Sequence, residues 1–191
     1  MSISNDNKKI AKSALNAFGG KPSVSKYWDN DNKSSIDLLS VVNRPFDGVN
    51  SYSTIGLSDH SIKYSVDETP LRVEIVGASA TRYEDFPNVI ATCAFCIINS
   101  NYTIAHGEMF RDIIKMYYPE SDMKHVLFLS PFLWEDLKTL EFTNKKVAWL
   151  LAAPISENEY MYAREKGTDS LEELFEKEQI DIFDLERKSV L

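Results

Sequence analysis

Polar and apolar residues alternate through Leu71-Arg72-Val73-Glu74-Ile75, whereas Ile10, Ala11, Ala14, Leu15 and Phe18 recur every three or four positions. The first period is that of a strand with one face in a core, the second that of an amphipathic helix. The helical pattern predicts a first helix from about Asp6 to Phe18, capped by Ser4 or Asn5 and released by Gly19. Strand-type runs at Val24 to Trp28 and Ile36 to Val42 flank the turn-rich Asp29-Asn30-Asp31-Asn32, which predicts a hairpin. Tyr52 to Leu57, Ser61 to Val66 and Leu71 to Val76 continue the strand pattern, the last with one face towards water.

The period then changes. Val89 to Ile98 is apolar nearly all round, opened by Asp85 and Pro87 and ended by Asn99 to Asn101, and predicts a buried central helix. Val126 to Leu129 and Val147 to Ala152 predict further strands, with Pro131 and Pro154 as stops. Ser156-x-x-Glu159 is a capping box with Ile155 and Tyr160 at the staple positions, so a helix should run from Glu157 to Lys166 and end at Gly167. A second helix, from about Ser170 to Glu178, is capped by Asp169 or Ser170. It turns Leu171, Leu174 and Phe175 inward and Glu172, Glu173 and Glu176 outward. Glu172 and Glu176 repel at i, i+4, while Glu173 and Lys177 attract.

Charge is concentrated at one end. Residues 156–191 carry 11 acidic and 5 basic side chains, a net −6 of the chain's −8. A one-signed folded face complements a basic macromolecular surface, although an acidic helix can also serve solubility alone. The acidic balance argues against direct nucleic-acid binding, which needs clustered Lys and Arg. No sequence break or repeat marks a second domain, so residues 1–191 read as a single domain. The first twenty residues have no signal-peptide core, and the longest apolar run is about half a bilayer span. These features predict a cytoplasmic chain without membrane contact.

Candidate chemistry is sparse. Cys93 and Cys96, the only cysteines, have redox spacing but lie inside an apolar run, where a thiolate is disfavoured. They read as packing residues and rule out a disulfide framework. Asp29-x-Asp31 resembles the start of a calcium loop, but Lys33, Ser34 and Ser40 occupy the positions of a ligand, the turn glycine and the closing glutamate. No metal or cofactor is expected. His60 beside Asp59 and His106 beside Glu108 could form an acid–base pair if loops brought them together, which keeps a small hydrolase as one alternative. No nucleophile elbow, phosphate loop or zinc-protease motif accompanies them.

Several motifs in order carry a resemblance. They are Tyr52-Ser53-Thr54-Ile55-Gly56-Leu57-Ser58-Asp59, Leu71-Arg72-Val73-Glu74-Ile75, Phe86-Pro87, His106-Gly107, Trp149-Leu150-Leu151 and Asp184-Leu185-x-Arg187-x-Ser189. In this order they resemble the bacterial suppressor-of-fused-like domain family, and within it the antitoxins that act as immunity proteins against secreted LXG-type toxins. The resemblance implies an α+β domain with a central twisted, mixed or antiparallel sheet flanked by helices. It also implies a binding role with no catalytic residues and no cofactor, the partner being a cognate toxin with a nuclease-like C-terminal domain. A regulatory binding module or scaffold without a toxin is the alternative within the same family. Charge and helix geometry place the expected partner face on Glu157, Glu159, Glu172, Glu173, Glu176, Asp181 and Asp184, with Tyr160 or Tyr162 as an aromatic anchor.

Overall fold

The computed structural model describes residues 4–191. Helix α1 (Asn5–Phe18) starts where the Asn7 N–H donates to Ser4 Oγ at 3.1 Å, and its apolar stripe buries Ile10, Ala14 and Phe18. The hairpin follows as β1 (Pro22–Trp28) and β2 (Ser35–Val41), paired antiparallel. Next come β3 (Val49–Ile55), β4 (Tyr64–Val66), β5 (Thr69–Ala80) and α2 (Phe86–Ser100). The chain is completed by β6 (Met109–Phe110), β7 (Met123–Leu129), β8 (Leu140–Glu141), β9 (Lys146–Ser156), α3 (Glu157–Lys166) and α4 (Thr168–Glu178).

Among the described residues the nine strands form one mixed sheet in the order β1-β2-β3-β5-β9-β7-β6, with β4 on β5 and β8 on β9. Every pairing is antiparallel except that of β5 with β9, which starts at Leu71 opposite Lys146. Alternate residues of each central strand serve two separate cores. Leu150 and Ala152 of β9 pack with α2, while Trp149, Leu151, Ala153 and Ile155 pack with α1, α3 and α4. The result is an α+β fold with helices on both faces of the sheet. No helix among the described residues is long and apolar enough to cross a membrane.

Five local expectations change. β5 has no wet face: Val73 and Ile75 point to the α2 core, and Glu74 on the other face is fully buried. Leu57 leaves β3 and begins a short 3-10 turn, Leu57–Asp59, entered through Gly56 at φ +98°, a backbone region where a side chain would be strained. α2 packs by one side only, since Phe95, Cys96 and Ile98 are half-buried on the other. Pro154 does not stop β9, which continues to Ser156, because β5 no longer pairs beyond Leu151. There a missing N–H breaks no ladder bond. α4 starts at Thr168, ahead of both expected caps, and the Ser170 hydroxyl instead donates back to the Lys166 carbonyl.

Candidate partner-binding surface

Most of the motifs singled out in the sequence hold the fold together. Glu74 is the clearest case. Its Oε1 accepts the Gly56 and Ser58 N–H groups, each at 3.0 Å, and its Oε2 accepts the Thr54 hydroxyl at 2.6 Å and the Leu57 N–H at 3.3 Å. Gly56 and the turn after it therefore form a cradle of N–H groups around one carboxyl. Burial pushes its pKa up to about 7, against the downward pull of the Thr54 and Ser58 bonds. Beside it Lys145, 7% exposed, donates to Asp59 Oδ1 at 2.9 Å and to the Ser58 carbonyl at 3.3 Å. Its ammonium is also 3.4 Å from Ser58 Oγ. The serine is fully buried and the lysine is ion-paired, so the pair is a structural tie and no nucleophile is presented.

The capping box of α3 forms as expected, and this corrects the reading of two site residues. The Ser156 N–H donates to Glu159 Oε2 at 2.8 Å, while the Glu159 N–H donates to Ser156 Oγ at 3.1 Å. Arg187 closes on the same carboxylate with two bonds of 2.7 and 2.8 Å, and also donates to the carbonyls of Pro154 and Lys188. Glu159 is fully buried and Tyr160 only 8% exposed, so neither can touch a partner. The box that makes Glu159 a good cap turns its carboxylate inward.

Glu157 is half-buried and engaged. Its Oε2 accepts from His125 Nε2 at 3.0 Å and its Oε1 from Arg111 at 3.3 Å. His125 Nδ1 accepts the Asp112 N–H at 2.8 Å, which fixes the neutral tautomer with its proton on Nε2. Burial lowers the pKa of His125 from 6.5, only partly offset by Glu157 and Asp112, with Arg111 adding to the lowering. The unfolded chain therefore takes up this proton before the folded one does. The stability due to His125 is fully present above about pH 6.5 and is lost as pH falls through the lower folded value. Between pH 7.5 and 5.5, urea unfolding should show the wild type losing stability relative to His125→Gln as pH falls, because the other titrating groups contribute alike to both proteins. Equal slopes in both proteins would refute it.

The remaining carboxylates divide by partner. Asp184 takes hydrogen bonds from Tyr83, the Glu186 N–H and Arg82, which hold its carboxyl below the usual range although burial opposes this. Glu172 Oε1 lies 3.0 Å from His106 Nε2. Glu173, Glu176 and Asp181 are exposed and form no ion pair among the described residues. Lys177, expected beside Glu173, instead lies 3.8 Å from Glu178. Tyr162 is half-buried near Leu191 at the far side of α3.

What the sequence did not reveal is a groove of about 480 Å³ beside α4. Leu129, Phe175 and Ile182, all buried, lie at its floor, and Phe132, Leu133, Ile180 and Phe183 form its walls. Phe132 is 59% exposed, and Phe46, itself 52% exposed, stacks edge-on against Phe183 at 5.2 Å and extends the apolar surface. Glu172 and Glu176 stand at the rim, and no Lys or Arg lines the groove among the described residues. An apolar centre inside a charged rim is the anatomy of a protein-binding patch.

The other candidates have local roles. His106 pairs with Glu172 on α4, whereas His60 ends the 3-10 turn near α1, its N–H donating to the Leu57 carbonyl. The structure shows no contact between the two rings. Cys93 is buried and Cys96 half-buried, and burial pushes both thiols up, which keeps them protonated. Asp29 accepts from the Lys33 N–H and from Asn99, while Asp31 pairs with the Lys33 ammonium, so lysine and asparagine occupy the loop once compared with a calcium site.

Comparison with known proteins is consistent with this architecture. The family profile described as suppressor of fused protein matches residues 32–188. The chain is 56% identical, over 192 residues and the whole of both sequences, to a protein of Bacillus subtilis strain 168 named Immunity protein YqcF. Among solved structures, a suppressor of fused homologue from Neisseria gonorrhoeae FA 1090 superposes with a TM-score of 0.74 at 17% identity, covering 98% of each chain. A chain from a Sufu–Fu complex gives a TM-score of 0.67 at 10% identity, covering 97% of this chain and 92% of that one.

Proposed function

The chain belongs to the suppressor of fused protein family, and from that premise we propose that it is an immunity protein that binds and neutralises a cognate toxin. The toxin is of the secreted LXG type with a nuclease-like C-terminal domain, met in the cytoplasm. The full-length relative named as an immunity protein supports the role. The observation that carries the mode of action is the exposed, unpaired set Glu173, Glu176 and Asp181 beside an apolar groove. A nuclease needs a cationic surface to hold phosphates. An acidic cover attracts that surface from a distance and occludes it on contact.

Co-expression with the toxic domain encoded by an adjacent long reading frame should rescue growth and yield a complex. Absence of both overturns the reading. Within that assay Glu173→Lys combined with Glu176→Lys and Asp181→Lys should slow association about 10-fold or more at low salt. The difference should shrink as salt shortens the Debye length. An unchanged association rate in a folded triple variant removes these carboxylates from the interface.

A further inference from the structure

The geometry points to the groove beside α4 as the seat for one large apolar side chain of the toxin, flanked in the toxin by lysine or arginine residues that meet Glu172 and Glu176. This deepens the immunity reading and rests on it. Three features converge on this occupant. The walls Phe132, Ile180 and Phe183 are exposed or half-exposed although they are apolar, and Leu129 and Phe175 close the floor beneath them. A cleft of about 480 Å³ admits a side chain or two but no folded element. Its rim carries Glu176, which is unpaired, and Glu172, which lies 3.0 Å from His106, with no Lys or Arg among the described residues, within a chain end whose net charge is −6.

The charge selects the partner. A lipid tail or neutral ligand gains nothing from Glu172 and Glu176, and an anionic headgroup or nucleic acid is repelled by them. A second copy of this chain would bring a like-charged rim against the first. A basic protein with an aromatic or long aliphatic residue between its cations satisfies both the floor and the rim. Deeply seated apolar anchors dominate binding, while the surrounding charges set rate and specificity.

A second cleft of about 400 Å³ lies across the outer face of α2, near Trp28 and Met116, and serves as an internal control. Its carboxylates Asp29 and Asp31 are already engaged by Lys33 and Asn99. Phe132 is more than half exposed, so its truncation leaves the core intact. The test measures toxin-domain affinity and growth rescue for Phe132→Ala, Ile180→Asp and, as control, Trp28→Ala with Met116→Ala. Thermal melts verify folding of each.

Phe132→Ala and Ile180→Asp should each weaken binding at least ~10-fold and reduce rescue, with the control unchanged. Wild-type affinity in both groove variants overturns the seat while leaving the immunity reading in place. Loss confined to the Trp28 and Met116 variant, or an effect of Phe132→Ala on self-association only, does the same. A wild-type chain that binds no toxin overturns both readings together.

Discussion

Arg187→Ala should lower stability by about 3–5 kcal/mol, the loss typical of a buried ion pair deprived of one partner. For a chain of this size that corresponds to a fall in Tm of about 6–20 °C. The reason lies in what the guanidinium joins. It links the Glu159 carboxylate, the Pro154 carbonyl at the end of β9 and the Lys188 carbonyl of the terminal segment, and it stacks 5.4 Å from the Phe175 ring of α4. Without it the fully buried Glu159 carboxyl loses its partner and two hydrogen bonds. Glu159→Gln should do comparable harm, because the N–H groups of Ser156 and Val190 also end on that carboxylate. The double variant should cost clearly less than the sum of the two, since each single change already breaks the same pair. Calorimetric melts of the three variants decide the matter. Single-variant losses below a few degrees, or strict additivity, would show that the clamp contributes little.

Glu74→Ala should cost about 3 kcal/mol or more, because it leaves the N–H donors of Gly56, Leu57 and Ser58, buried or partly buried, without an acceptor and the Thr54 hydroxyl with only the Ile75 carbonyl at 3.4 Å. Its pH dependence runs opposite to that of His125. With a folded pKa near 7 against an ordinary value of 4.5, the folded chain binds this proton more tightly than the unfolded one. The stabilisation from Glu74 is thus greatest below about pH 4.5 and declines as pH rises through 7, by a total on the order of 3 kcal/mol. Glu74→Gln cannot titrate, so its stability deficit relative to wild type should narrow from pH 5 to pH 8. Chemical denaturation at four or five pH values provides the comparison, and a deficit that widens with pH would invalidate the account.

How much of this was legible depended on the range of the interactions. α3 runs from Glu157 to Lys166 as the sequence predicts, because its box, staple and terminal glycine lie within one short segment. Glu74 was misread because alternation assigns a polar strand residue to water, whereas its donors come from a turn 16 to 18 positions upstream. Glu159 was legible as a cap and misplaced as a contact residue, since only Arg187, 28 positions on, reveals how deeply it sits. The outward carboxylates of α4 followed from helical period, and Glu173 and Glu176 are indeed exposed. The groove did not follow, because its walls come from the loop after β7 and the segment after α4, which no local pattern joins. The family motifs turn out to bind strands and termini to one another: Tyr52 stacks near Phe86, Asp184 holds Arg82, and Ser189 Oγ meets Ser156 Oγ at 2.9 Å.

The parallel pairing of β5 with β9 also constrains the chain during synthesis. Leu71 and its partner Lys146 are 75 positions apart, so at ordinary translation rates the first is added to the chain about 4–15 s before the second. During that interval β5 can pair with β3 and β4, but the edge that will receive β9 stays open, and the core on the α1 side lacks Trp149, Leu151 and Ile155. Contacts this distant are also slow to form, because the intervening chain must be ordered before they repay it. A freshly made molecule therefore lags behind its own translation before its sheet and its α1-side core are complete.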